Sequence, residues 1–160
     1  MVRERTHRLP RDCYRGEVAV AFTACVAERR PLFQDAITIH AFVELLRASA
    51  QKHGCLVMVY CFMPDHVHLI LSGTGPGSDA WRAMVDFKQQ TGYWLRRQTR
   101  ETSWQKDFYD HIVRRDEDMA AQARYVAENP VRRGFVAHWR DYPFTGAIGV
   151  DLDAVLEGYP

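Results

Sequence analysis

From Glu17 to Val26 the chain alternates with period two. Val18, Val20, Phe22, Ala24 and Val26 form one row, and Ala19, Ala21, Thr23 and Cys25 the other. This predicts a strand with one buried face and one face of small residues that something else can approach closely. Arg29-Arg30-Pro31 ends the strand. From Thr38 the period becomes helical, with Phe42, Leu45, Leu46 and Ser49-Ala50 on one side and Gly54 as the stop. Cys55 to Met63 and His66 to Ser72 are apolar runs separated only by Pro64-Asp65. Proline presets φ for a turn and aspartate bonds its own backbone there, so the pair predicts a β-hairpin. Gly73 to Gly77 reads as a connection, since it lacks the Lys-Ser/Thr of a phosphate-binding loop. Ser78 is the expected cap of a helix to about Arg100, in which Trp81, Met84 and Val85 begin a buried stripe. Trp104 to Arg114 reads as a short edge strand. Asp116 is the expected cap of the next helix, with Glu117 and Asp118 in its first turn and Met119, Ala123 and Val126 on its buried stripe. Pro130 is the expected stop.

The order strand, helix, strand, strand, helix, strand predicts an α+β fold: a ferredoxin-like βαββαβ antiparallel sheet, with an additional C-terminal helix carrying Tyr125. Two helices would cover one face and leave the other open. At 160 residues, 47% hydrophobic and 26% charged, the chain is one globular domain. No apolar run reaches the length of a membrane span and no signal-peptide core follows the basic start, so a cytoplasmic protein without membrane contact is expected. Cys13, Cys25, Cys55 and Cys61 have no C-x-x-C spacing and read as reduced thiols, mostly buried.

The net charge of +1 says little, but its distribution is uneven. Residues 1–16 hold Arg3, Arg5, Arg8, Arg11 and Arg15 against Glu4 and Asp12, and residues 141–160 hold four acids and no base. The expected organisation is therefore a basic arm over 1–16, a domain over 17–140 and an acidic tail over 141–160. Segregated basic charge suits an anion-binding face.

Candidate chemistry begins at His66 and His68. Side chains two apart on a strand share a face, so Val67, Leu69 and Leu71 would be buried and both imidazoles would stand together opposite. Two neutral imidazoles can share a divalent metal, and they can equally be polar residues of a solvated face. Tyr125 and Asn129, four apart, lie one turn above the other.

Four separated pieces occur in one order: RPLF at Arg30–Phe33, MPDHVHLIL at Met63–Leu71, WQKDFYDHIVR at Trp104–Arg114 and RYVAENPVRRGFV at Arg124–Val136. Across roughly residues 15–145 the chain thereby resembles the HUH-type single-tyrosine transposases, and among them the REP-associated tyrosine transposases. The resemblance implies His66, His68 and Asn129 as metal ligands and Tyr125 as nucleophile. It also implies Mg²⁺ or Mn²⁺ as cofactor, the nitrogen ligands favouring Mn²⁺. Short insertion-sequence relatives carry glutamine where Asn129 stands, and His111 lies in a matching segment without a chemical assignment.

The implied partner is single-stranded DNA, hairpin-forming, bound by a monomer or a homodimer. The implied reaction is cleavage and rejoining through a 5′-phosphotyrosine. Arg3, Arg5, Arg8, Arg11, Arg15, Lys88, Arg96, Arg97, Arg114, Arg132 and Arg133 are the candidates for backbone phosphates, and Trp94 and Trp104 for base stacking or for the core. Two other readings stay open: a phosphoesterase that uses the same histidines with water, and a non-catalytic nucleic-acid binding module on the same kind of sheet.

Overall fold

The computed structural model describes residues 8–98, 101–114 and 118–158. Strand β1 (Ala19–Cys25) buries Val20, Phe22 and Ala24 and leaves Ala19, Ala21 and Thr23 half-covered, which is the period-two pattern read from the chain. Helix α1 (Ala36–Lys52) begins earlier than Thr38, because the Asp35 carboxylate accepts the Thr38 N–H at 2.8 Å and draws Ile37 onto the exposed side of the first turn. Gly54, at φ 69°, follows its end. Strands β2 (Cys55–Met63) and β3 (His66–Gly73) form the expected hairpin about Pro64-Asp65.

Helix α2 (Ala80–Arg97) is capped by Asp79, not Ser78, and ends before Arg100, which lies outside the described residues. Ser78 instead ties the glycine loop: its Oγ accepts the N–H groups of Thr74 and Gly75 and donates to the Gly54 carbonyl at 2.6 Å. Strand β4 (Tyr109–Val113) is shorter than the Trp104–Arg114 reading, since Trp104 makes only an isolated bridge to Val26.

Helix α3 (Met119–Ala127) has Asp118 as N-cap; Asp116, the expected cap, and Glu117 lie outside the described residues. The chain then kinks at Glu128 and resumes as α4 (Asn129–Arg132). Pro130 therefore does not stop a helix. It lies in the first turn of the next one, where a missing N–H costs nothing.

The sheet order is β4-β1-β3-β2-β5, with β5 (Thr145–Ile148) added beyond β2 and every pair antiparallel. Strands one to four with α1 and α2 follow the expected βαββαβ course. On one face, Phe42 of α1 and Phe87 of α2 meet Phe22, Phe33, Phe62 and Trp104 in an aromatic core, several of whose rings meet edge to face at 5–6.5 Å. Trp94 and Trp104 both belong to this core, and the Trp104 indole N–H donates to the Thr91 hydroxyl at 2.8 Å. They are packing residues, not a stacking surface.

The opposite face is covered in part. Ala123, Val126 and Ala127 of α3 lie on Val59, Cys61, Met63 and Ile70, and α5 (Leu152–Glu157) adds Val155 and Leu156 from outside. The stretch 141–160, expected as an acidic tail, thus contributes an edge strand and a helix. Residues 8–16, within the expected basic arm, are tied to the domain: Tyr14 is fully buried, packs against Trp81 with ring centroids 5.0 Å apart and tilted by 55°, and donates to Asp110 at 2.6 Å. Cys25, Cys55 and Cys61 are buried free thiols and Cys13 is an exposed one. Among the described residues no helix is long and apolar enough to cross a membrane.

Candidate active site

The antiparallel register aligns Tyr109, Thr23, His68, Cys61 and Thr145 in one row across the five strands, with Cys25, His66 and Met63 in a second row. The His66 and His68 side chains meet on the α3 face of the sheet, Nε2 to Nε2 at 3.1 Å, with their rings nearly perpendicular. Their other nitrogens are engaged. His66 Nδ1 is 2.6 Å from Asp65 Oδ1, and His68 Nδ1 is 2.8 Å from Thr23 Oγ1. A carboxylate only accepts, so His66 donates through Nδ1 and its Nε2 carries a lone pair. Thr23 can accept the His68 Nδ1–H in the same way, leaving two bare nitrogens facing one another.

Asp65 is itself held. Arg29 donates Nε–H to Asp65 Oδ2 at 2.9 Å and Nη1–H to Cys25 Sγ at 2.8 Å. Glu28 and Arg29 both have positive φ, 58° and 55°, a backbone conformation costing non-glycine residues about 1–3 kcal/mol each. The strained turn thus ends in an arginine fixed on the carboxylate that orients His66. Burial would raise the Asp65 carboxyl, but the His66 N–H and the Arg29 guanidinium outweigh it and hold the pKa below the ordinary value.

Both imidazoles are kept neutral. Burial lowers His66, partly offset by Asp65. Burial, then the charge of His66 and of Arg132, Arg133 and Arg29, lowers His68 to about 4. Neutral imidazole is the form that ligates metal.

Asn129 arrives from the first turn of α4, 6% exposed, with Nδ2 3.4 Å from His66 Nε2. The same amide turned through half a rotation presents Oδ1, the atom a cation takes. Two nitrogens each about 2.1 Å from one ion lie about 3 Å apart, so the facing Nε2 pair fits a shared cation. Among the described residues no three His, Cys, Asp or Glu side chains group to hold a metal; the donor set is two imidazoles and an amide.

Tyr125, on α3 one turn before Asn129, is 63% exposed. The kink at Glu128 separates the two, so they stand on consecutive helices and not on one as the spacing suggested. The Arg132 guanidinium lies 3.8 Å above the Tyr125 ring and donates to the Tyr125 carbonyl at 2.7 Å.

The remaining basic candidates divide. Arg133 is exposed just past the end of α4, close enough to depress both histidines. Lys88 is no surface contact: its ammonium donates to the carbonyls of Gln105, Lys106 and Asp107 at 2.9–3.4 Å. Arg8 bonds the Phe108 carbonyl and stacks on Trp81, Arg11 also covers Trp81, and Arg15 pairs with Asp12. Arg96 and Arg97 are exposed beside Tyr93 on α2, behind the sheet. Arg114 is exposed after the edge strand, and Arg3 and Arg5 lie outside the described residues. Sequence reasoning missed Thr23, Arg29 and Asp65 as site residues; only the small face of β1 and the turn at Asp65 signalled them.

Residues 16–129 match the family model described as Transposase IS200 like. A Haemophilus influenzae protein assigned to the REP-associated tyrosine transposases is 24% identical over 133 residues, covering 76% of this chain and 74% of that protein. The Escherichia coli REP-associated tyrosine transposase is 27% identical over 110 residues, 66% of this chain and 60% of that protein. In fold, a REP-associated tyrosine transposase solved bound to a REP hairpin superposes with TM-score 0.73 at 20% identity, over 89% of this chain and 82% of that one. The relatives are named as tyrosine transposases, enzymes of DNA cleavage and transfer. The chain belongs to the IS200-like transposase family.

Proposed function

We propose that this IS200-like transposase cleaves and rejoins single-stranded DNA through a 5′-phosphotyrosine on Tyr125, with a divalent cation held by His66, His68 and Asn129. The observation that carries the reading is the convergence of Asn129 on the His66–His68 pair from 63 residues away, one turn beyond an exposed tyrosine. In the reaction Tyr125 Oη forms a bond to phosphorus. The bond to the 3′-oxygen breaks, and that oxygen keeps the electron pair and takes a proton as the phenol loses its own to water. A phenol of pKa about 10 is mostly protonated at neutral pH, so the step needs an oriented, polarised phosphate. When bound, the cation supplies that polarisation. The set of two nitrogens and one amide oxygen favours Mn²⁺ over Mg²⁺.

His66 is held for this task by Asp65 and Arg29, and His68 by Thr23. Arg133, exposed beside the pair, supplies charge for a backbone phosphate. The substrate is taken to contain a hairpin, because the relative of like fold is described as bound to one. We place the reaction in cis within a cytoplasmic monomer: α3, which carries Tyr125, packs on the sheet that carries the histidines, and Asn129 of the same chain reaches His66, which supports this reading over a site shared between two copies.

The test is a denaturing gel of end-labelled single-stranded hairpin DNA with Mn²⁺ or Mg²⁺, run beside Tyr125→Phe and His66→Ala. A slow covalent species formed only by the unaltered protein supports the reading. Cleavage that survives Tyr125→Phe but not His66→Ala assigns the site to water-using phosphoester hydrolysis instead.

A further inference from the structure

Arg132 occupies a place that a plain phosphate contact does not explain. It lies on α4, seven residues after Tyr125, yet its side chain reaches back across the kink at Glu128. The carbonyl it bonds, that of Tyr125, is one of the last four of α3, the groups a helix end leaves short of partners. Bonding it fixes the guanidinium relative to the backbone of residue 125. The same guanidinium covers the Tyr125 ring at 3.8 Å, well inside the range of a cation–π contact. Backbone and ring of one residue are thus held by one planar cation.

That anchoring matters because, among the described residues, Arg132 is the only side chain that bonds Tyr125 or covers its ring. The residue is 63% exposed, while its helix is attached through Ala123, Val126 and Ala127 on the opposite stripe. An exposed tyrosine samples several rotamers, and each unproductive one reduces the attack rate. Arg132 also lies near enough to the histidine pair for its charge to act on His68.

We infer that Arg132 is the positioning residue of Tyr125: it stacks on the ring, bonds the carbonyl of the same residue, and sets a permanent positive charge beside the oxygen that becomes the tyrosyl phosphate. Arginine suits both tasks because its fork is flat and always charged, and of its five N–H donors one is given to the Tyr125 carbonyl. The inference rests on Tyr125 being the nucleophile. In the step itself the new Oη–P bond replaces the P–O3′ bond, and the phosphodiester keeps its single negative charge beside the guanidinium.

The experiment compares single-turnover formation of the covalent species at saturating single-stranded hairpin DNA with Mn²⁺, and the Kd for the same DNA at several salt concentrations, in the unaltered protein, Arg132→Gln, Arg132→Lys and Tyr125→Phe. Expected is a fall of about 100-fold in the saturated rate for Arg132→Gln, the scale of removing one oriented donor from a reacting centre. Kd should change by less than about threefold, since the lost charge is spent on the tyrosine and not on binding. Arg132→Lys should regain only part of the rate, because an ammonium has the charge but not the plane. An unchanged saturated rate with weaker, less salt-dependent binding overturns the inference and makes Arg132 a phosphate contact. A full rate in Arg132→Lys overturns it too, even if the glutamine variant fails to fold. A covalent species in Tyr125→Phe removes the tyrosine reading and this inference together. Its loss there, with the full rate kept in Arg132→Gln, removes this inference alone.

Discussion

His66 and His68 face one another through Nε2 atoms 3.1 Å apart while both Nδ1 atoms are already bonded. Two lone pairs so placed repel unless a proton or a cation lies between them. Burial disfavours a charged imidazolium, since it lowers both pKa values, so the form a cation displaces is a neutral His68 that carries its proton on Nε2 and accepts from Thr23 at Nδ1. The pair is expected to bind Mn²⁺ in the absence of DNA. Titration calorimetry should show one site, with His66→Ala and His68→Ala each weakening it by at least about tenfold. Equal affinity in the unaltered protein and both variants would place the cation elsewhere.

Asp65 is the next test, because it touches no metal on this arrangement and acts only through the His66 ring. Asp65→Asn keeps the turn, removes the charge and lets the amide present either end to Nδ1. Mn²⁺ affinity should fall by about 10–100-fold, the usual cost of losing a partner that orients a ligand. Arg29→Ala should give a smaller loss of the same kind, read as the calorimetric Kd for Mn²⁺. An Asp65→Asn affinity within about twofold of the unaltered protein would mean that packing by itself holds the ring.

How much of this was legible in the chain depends on distance along it. The hairpin and the shared face of His66 and His68 are local, set by a two-residue turn and a period of two, and both could be read directly. Asp65 was visible only as a turn residue, because its second bond, to Arg29, is 36 residues away and depends on a left-handed backbone that no side chain announces. Lys88 lay in a basic row at helical spacing, but its partners are backbone carbonyls 17–19 residues on, which leave no pattern in composition. Strand β5 and helix α5 were missed for another reason. They have only four and six residues, too few for either period to be distinguished.

Lys88 provides a pH test away from the site. Burial pulls its ammonium down to about 8 from 10.5. In the unfolded chain it returns to the ordinary value, so between about pH 8 and pH 10.5 the unfolded state binds more protons and stability rises with pH through this group. Below pH 8 both states are protonated and its contribution is constant and at its lowest. Urea unfolding of the unaltered protein and Lys88→Met, from pH 7.5 to 9.5, should show a stability difference that moves in favour of lysine as pH rises. A flat difference would show that the three carbonyls compensate the ammonium fully.

The small residues under the tyrosine helix carry the last prediction. Ala123 and Ala127 are both fully buried against Val59, Cys61, Met63 and Ile70, and with only a methyl group each they let α3 lie close to the sheet. That closeness is what brings α4, and with it Asn129, to within 3.4 Å of His66. Ala127→Leu adds three carbons at the end of α3 nearest Asn129 and must lift it or force neighbouring rotamers. The expected cost is about 1–3 kcal/mol of stability, read as a lower midpoint in urea. Loss of Mn²⁺ affinity and of covalent-complex formation should exceed the loss of DNA affinity, because phosphate contacts tolerate a displacement that a ligand set does not. Ala123→Leu, one turn farther from Asn129, should cost similar stability with a smaller loss of Mn²⁺ affinity. Equal losses in both variants would mean that α3 and α4 move as a rigid unit and that the kink at Glu128 does not separate them.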